Sequence, residues 1–273
     1  MLQQVIIKPF PKIMGILNAT PDSFSDGGRY NSTEAALSHA IDLYDQGTDI
    51  LDIGGESTRP GAEGVPAKDE LERVIPIIQA IKKELPQLII SIDTTKYDVA
   101  KAALDAGAEI VNDISGLDFE PRLAELTSSY DASLVIMHMQ GKPRTMQSDP
   151  HYGDVVDDVL ALIEKKIDFA RSRGVKKIIA DVGIGFGKTI EHNLELLNRH
   201  SEFQRLGVPL LLGISRKSFI GKILEIDVPQ ERDLPTALLH ALLLNSGAEI
   251  LRVHNVRQIE MLKKLAIALG IAK

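Results

Sequence analysis

Eight short apolar runs in this chain end on polar or charged residues that could do chemistry together. In chain order these are Asn18, the group Glu56 to Arg59 just past the second run, Asp93, Asn112 with Asp113, His138, Asp181, the group Ser215 to Lys217, and Arg252 with His254. Singly, each is the kind of residue that caps a strand or makes a turn. Eight such endings in succession point instead to one shared site. The set mixes carboxylates and amides with cations, which suits a ligand with a flat, donor-rich heterocycle at one end and an anion at the other. In Arg252-Val253-His254-Asn255, strand alternation puts Arg252 and His254 on one side, with Asn255 placed to N-cap the following helix.

The run from Asp181 to Thr189 invites a nucleotide reading and fails it. Val182 stands where a Walker A loop needs glycine, and the glycines alternate as G-x-G-x-G, unlike the dinucleotide fingerprint. A loop whose backbone approaches a ligand, with Phe186 as an apolar wall, is the better account. Met137-His138-Met139 reads equally well as packing. The remaining histidines, His39, His151, His192, His200 and His240, read as helix-surface or loop residues. No paired spacing of metal ligands occurs, so a protein-caged metal is not expected. Mg²⁺ carried in by a phosphate ligand needs only one or two protein oxygens, and Asn18 could supply one.

The elements that position these residues announce themselves by repetition. The phrase Gly47-Thr48-Asp49-Ile50-Leu51-Asp52-Ile53-Gly54 recurs as Gly107-Ala108-Glu109-Ile110-Val111-Asn112-Asp113 and as Gly247-Ala248-Glu249-Ile250-Leu251-Arg252-Val253-His254, with a looser copy from Gly174 to Asp181. Each is a helix-ending glycine, then a buried strand, then a polar tip. Helical spacing predicts a helix N-capped by Thr33 and ended by Gly47. Further helices are predicted over about 67–84, 96–106, from near Pro121, from an Asp154 cap, over 191–206, 234–246 and 256–269. Eight strands alternating with eight helical segments, at about 34 residues per unit (273 divided by eight), predict an α/β fold. A single-domain TIM-type (β/α)8 barrel over 1–273, with a short N-terminal strand or hairpin at 2–7, fits best, and its active site belongs at the strands' C-terminal ends. A doubly wound open sheet is the alternative.

Composition excludes several function classes. A net charge of −7 with scattered basic residues leaves no footprint for nucleic acid or an anionic membrane. No apolar run is long enough to span a bilayer. With no cysteine, disulfides and thiolate zinc sites are absent, and a cytoplasmic enzyme is the default expectation.

The strings MGILNATPDSFSDGG (from Met14), GGESTRPGA (from Gly54), SIDT (from Ser91), AGAEIVNDISG (from Ala106), IMHMQGKPRTMQ (from Ile136), GIGFGK (from Gly183), GISRKSF (from Gly213) and RVH (from Arg252) together resemble dihydropteroate synthase, in order over nearly the whole chain. Two positions depart from the usual pattern: Val182 replaces a proline, and Asn255 replaces an aspartate. The resemblance implies a transferase of folate biosynthesis that condenses 6-hydroxymethyl-7,8-dihydropterin diphosphate with para-aminobenzoate, the step at which sulfonamides compete. It implies that Asp93, Asn112, Asp181 and Lys217 hydrogen-bond the pterin edge, with Ile114 and Met137 packing near its ring. Thr58, Arg59, Arg252 and His254 would surround the diphosphate, and Asn18 would touch Mg²⁺. Pro60, Phe186, Ser215 and Lys217 would line the para-aminobenzoate pocket, with Asp93, Lys217, Arg252 and His254 carrying the catalysis. A homodimer is implied as well. A pterin-dependent corrinoid methyltransferase barrel would share the acids but would not need the Asn18 loop, Thr58-Arg59 or Lys217. A non-catalytic pterin-binding paralogue should have lost residues that are all present here.

Overall fold

Eight parallel strands close on themselves in sequence order, each pairing with the next and the eighth with the first. The computed structural model describes residues 8–19, 28–57, 64–141, 145–147 and 149–273, and excludes the side chains at 28–32. The strands are β1 (Lys12–Asn18), β2 (Ile50–Gly54), β3 (Ile89–Asp93), β4 (Ile110–Asp113), β5 (Ser133–Met137), β6 (Lys177–Asp181), β7 (Leu210–Leu212) and β8 (Ile250–Val253). The helices are α1 (Gly28–Asp45), α2 (Ala67–Glu84), α3 (Tyr97–Asp105), α4 (Leu123–Ser129), α5 (Val155–Ser172), α6 (Ile190–Asn198), α7 (Ser218–Leu224), α8 (Asp233–Leu242) and α9 (Val256–Ala268). The TIM-type barrel read from the repeats is the fold. The N-terminal strand expected at 2–7 lies outside the described residues.

The strands form because nearly every residue in them is apolar and both faces are covered, as in a parallel sheet wrapped by helices. Outward-facing Leu51, Ile53, Ile90, Ile92, Val111, Leu134 and Leu251 join the helices' Val74, Ile78, Val99 and Ile163 in one large core. Inward, Met14, Ile50, Ile89, Ile110, Val135, Ile179, Leu211 and Ile250 pack together, one from each strand. This layer plugs the barrel. Because side chains alternate along a strand, the residues two positions further on also point inward. Those residues are Ile16, Asp52, Ser91, Asn112, Met137, Asp181, Gly213 and Arg252. Sequence and register thus place an apolar floor directly beneath a polar ring.

The turn before β4 shows how each unit is closed. Gly107 takes φ +103°, a left-handed conformation that any Cβ would strain, and its N–H and that of Ala108 bond back to Leu104 O and Ala103 O at 3.0 and 2.9 Å. Asp154 caps α5 by accepting from the Val156 and Asp157 amides, and Asn255 caps α9 by accepting from Gln258 N.

Four expectations differ from the structure. Thr33 lies inside α1 and does not cap it, because the apolar spacing that begins at Ala36 gives no sign of the turns upstream. The helix expected over 191–206 breaks at Arg199 into α6 and a 3-10 segment, His200–Leu206, which buries His200 and Phe203. After β7 the chain inserts α7 and a 3-10 turn, Pro229–Arg232, before α8. Seven residues interrupted by Gly221 are too few for a helical period to show. Finally, His200 and His240 are core residues, since each helix turns that position inward; burial lowers His240 to about 3.

Candidate active site

Above the apolar floor sits a buried cluster of opposite charges. Arg252 donates from Nε to Asp52 Oδ2 at 2.6 Å and from Nη2 to Asp93 Oδ2 at 2.7 Å, while Asn112 Nδ2 donates to the same Asp52 oxygen at 3.1 Å. Asp52, Asp93 and Asn112 are buried. Burial pushes Asp93 up to about 7 against the pull of Arg252, with Asp52 adding to the rise. Burial opposes the charge on Arg252, and Asp52 and Asp93 more than restore it. Asp93 Oδ1 and Asp52 Oδ1 are buried with no hydrogen-bond partner among the described residues. Two acceptors left at a barrel mouth, where leaving such atoms unpaired is costly, call for a donor-bearing ligand.

The β6 and β7 endings form the opposite wall. Asp181 accepts from Gly183 N at 2.7 Å, and burial pushes its carboxyl up. Lys217 Nζ stands 3.9 Å above the Phe186 ring. Burial pulls Lys217 down to about 8, and Asp181 resists the fall. Between Ser215 and Lys217 the backbone reverses at Arg216, a non-glycine residue at φ +58°. That conformation is strained by roughly 1–3 kcal/mol. A two-pronged ion pair from Arg216 to Asp233, at 2.6 and 2.8 Å, and the bond from Arg216 N to Thr236 Oγ1 hold it. Arg216 therefore faces α8, leaving only Ser215 and Lys217 of that group at the mouth.

Ser215 Oγ accepts from the His254 backbone N–H at 3.1 Å and lies 3.0 Å from His254 Nδ1. A hydroxyl that already accepts there can donate its proton to Nδ1, which places the ring proton of neutral His254 on Nε2. Ser215 thus orients His254, a role its assignment to the amine pocket did not include. Asn18 ends β1 beside Gly54 and is half-buried. Ile114, Met137, Met139, Met146 and Phe186 form a separate apolar cluster above the floor.

Other strand-end residues are structural. Asp113 accepts from Ser115 N, Ser115 Oγ and Leu117 N at 2.6–2.8 Å, which folds the turn behind Asn112. Glu56 pairs with Lys96 and accepts from Val65 N at 3.3 Å, so it ties together the two described ends of its loop. His138 packs under the β6 loop against Lys188. Thr58, Arg59 and Pro60 lie outside the described residues. Sequence reading missed Asp52, Met146 and Lys188. Asp52 had a visible signal, since it is the one charged residue in Ile50-Leu51-Asp52-Ile53.

Among the described residues, no group of three or more His, Cys, Asp or Glu could cage a metal. Asn18, half-buried at the end of β1, could offer one oxygen to a hard cation arriving on an anionic ligand.

The profile of the pterin binding enzyme family matches residues 14–254. A dihydropteroate synthase of Synechocystis sp. is 50% identical over 259 residues, 94% of this chain and 89% of that protein. Among solved structures, the dihydropteroate synthase of Yersinia pestis in a sulfonamide drug complex superposes with a TM-score of 0.89 at 39% identity, covering 96% of this chain and 95% of that one. The Xanthomonas albilineans enzyme in complex with 7,8-dihydropteroate gives 0.85 at 36% identity, with 97% and 95% covered.

Proposed function

Because the chain belongs to the dihydropteroate synthase family of pterin-binding enzymes, we infer that its barrel mouth joins 6-hydroxymethyl-7,8-dihydropterin diphosphate to para-aminobenzoate, giving 7,8-dihydropteroate and diphosphate. It is a transferase of folate biosynthesis. The observation that carries the site assignment is the pair of buried carboxylate oxygens on Asp93 and Asp52, without a partner among the described residues, beside Asn112 and above an apolar floor.

A pterin edge presents amino and N–H donors to Asp93 and Asp181, and carbonyl and ring-nitrogen acceptors to Asn112 and Lys217. Its ring packs against Ile114 and Met137. Two of the five N–H donors of Arg252 hold the acids; the other three have no partner among the described residues and reach for the diphosphate with His254 Nε2. The resemblance adds Thr58 and Arg59 to the same anion site. Phe186, Ser215 and Lys217 are assigned to the para-aminobenzoate side, and the resemblance adds Pro60. Mg²⁺ held by Asn18 and the diphosphate would supply further charge neutralisation of the leaving group.

The methylene C–O bond breaks with its electron pair going to diphosphate, and the ring delocalises the cation that remains. Asp93 stabilises that cation, while Arg252 and His254 take up the growing charge on the leaving group. The aniline lone pair then forms the C–N bond and one N–H proton is lost to solvent. An aniline is unprotonated near neutrality, so no strong general base is required. Incubated with both substrates and Mg²⁺, the purified chain should form 7,8-dihydropteroate, and a chelator should suppress it. Finding no product under saturating substrates would sink the reading.

The electrostatics set a pH profile. Asp93 loses its charge as pH falls through about 7, and Lys217 loses its proton as pH rises through about 8. A plot of kcat/KM for the pterin diphosphate should therefore be a bell between those values. Lys217→Arg should remove the alkaline limb. Survival of that limb would reassign it to another group.

We also infer a homodimer, in keeping with the resemblance. Leu234, Leu238 and Leu242 stand on one face of α8 at 59%, 58% and 82% exposure, beside Met261 and Leu265 of α9 and Leu269 just past its end at 58%, 61% and 72%. These helices are neighbours, so the two stripes make one apolar face of the kind that marks an interface. Sedimentation should give twice the chain's 29.9 kDa, and Leu238→Glu with Leu265→Glu should give the single mass. A monomeric wild type would refute the inference. A cytoplasmic location is the reading that the lack of cysteine supports, and no described helix is long and apolar enough to cross a membrane.

A further inference from the structure

Lys188 is 3% exposed and, among the described residues, has no carboxylate within salt-bridge distance. Its Nζ is instead surrounded by Gly183 O at 2.9 Å, His138 Nδ1 at 2.9 Å, Phe186 O at 3.1 Å and His138 O at 3.4 Å. Burying an amine without a counter-charge is costly, so the protein must gain an arrangement it could not otherwise keep. Burial pulls Lys188 down to about 7 against the pull of Asp181, and it holds His138 neutral at about 2, with Lys188 lowering His138 further. Neutral His138 can therefore accept at Nδ1.

What this amine arranges is a loop with no room of its own. Gly183, Gly185 and Gly187 take φ of +69°, +83° and +61°. A Cβ on Gly183 would stand 1.8 Å from His138 O, and one on Gly187 would stand 2.5 Å from Gln140 O. The backbone of the β6 loop thus lies directly on that of the β5 loop, bringing carbonyls of both toward one point. Lys188 fills that point with donors. Of the two site residues at this loop, Asp181 belongs to β6 and is fixed by the barrel. Phe186 is not, and its carbonyl is one of those the amine holds.

We propose that Lys188 is a positioning residue for the para-aminobenzoate wall: it locks the Gly183–Phe186 turn onto the His138 backbone so that the Phe186 ring stays under Lys217. This rests on the assignment of that wall under the proposed function. The same turn leaves Phe186 with its ring 3.9 Å from Lys217 Nζ and its own N–H bonded to Gly183 O at 3.1 Å.

The test is steady-state kinetics on Lys188→Met with both substrates, after thermal melting confirms a folded protein. KM for para-aminobenzoate should rise about tenfold, the scale of one lost charge-assisted hydrogen bond, with kcat and the pterin diphosphate KM within about threefold. In a double-mutant cycle, Lys188→Met added to Phe186→Ala should raise that KM no further than Phe186→Ala alone. An unchanged KM, a fall in kcat at constant KM, or additive penalties would overturn the proposal. Should Lys188→Met not fold, Lys188→Gln, whose amide can still donate to two carbonyls, should fold and restore KM toward wild type. If neither folds, Lys188 is a stability element and the proposal fails. Wild-type product formation is the control that separates the outcomes: product from wild type with an unmoved KM in the variant condemns only the role of Lys188, and no product from wild type condemns the functional reading itself.

Discussion

Asp93→Asn should fold normally and lose turnover by about two to three orders of magnitude, the usual scale for removing a preorganised group from a developing charge. The substitution keeps the shape at the end of β3 and leaves Arg252 its tie to Asp52 at 2.6 Å. What disappears is the negative charge that the proposed mechanism places at the reacting end of the pterin. Stability should move the other way. Asp93 is raised from 3.8 to about 7, so the folded state binds more protons than the unfolded one across that window, and wild-type stability falls as pH rises through it. The asparagine variant should lack that slope. A kcat within tenfold of wild type would remove Asp93 from the mechanism, and an unchanged stability slope would place the titration elsewhere.

Arg252→Met should be damaging twice over. Taking one partner from a buried ion pair costs about 3–5 kcal/mol, because the charge left behind has no compensation. Here two carboxylates, on Asp52 and Asp93, would be left facing each other within the barrel. Activity should fall by at least about two orders of magnitude as the leaving group loses a cation. The two effects can be pulled apart. Adding Asp52→Asn removes the surplus charge, so Arg252→Met/Asp52→Asn should recover most of the lost unfolding midpoint and none of the activity. A double variant as unstable as the single one would mean that Arg252 stabilises the barrel by packing and not by charge.

The strand tips were legible because four of the βα units repeat the same glycine, apolar run and polar ending, and a closed barrel brings all eight endings to one face. Strand alternation was enough to expect Arg252 and His254 on one side of the strand end. It was not enough to find Asp52, whose role appears only when register sets β2 between β1 and β3 and brings Arg252 across from β8. The link between Lys188 and His138 spans 50 positions and depends on two loops touching backbone to backbone, which no local pattern encodes. Arg216 reads as a site cation beside Lys217, yet a left-handed turn sends it out to Asp233. Helix α7 was invisible for a different reason: seven residues around Gly221 carry too little periodicity, and the buried Phe219 and Ile220 hold it by tertiary packing. Asp113 was legible as the neighbour of Asn112, while its bonds to Ser115 and Leu117 show that it supports the turn.

The central claim is that this barrel mouth expels diphosphate so that an arylamine can take its place. Diphosphate release from 6-hydroxymethyl-7,8-dihydropterin diphosphate, followed with and without para-aminobenzoate, tests it most directly. The structure predicts release that rises and saturates with para-aminobenzoate and stays near background without it. Release indifferent to para-aminobenzoate, or none with both substrates saturating, would contradict the claim.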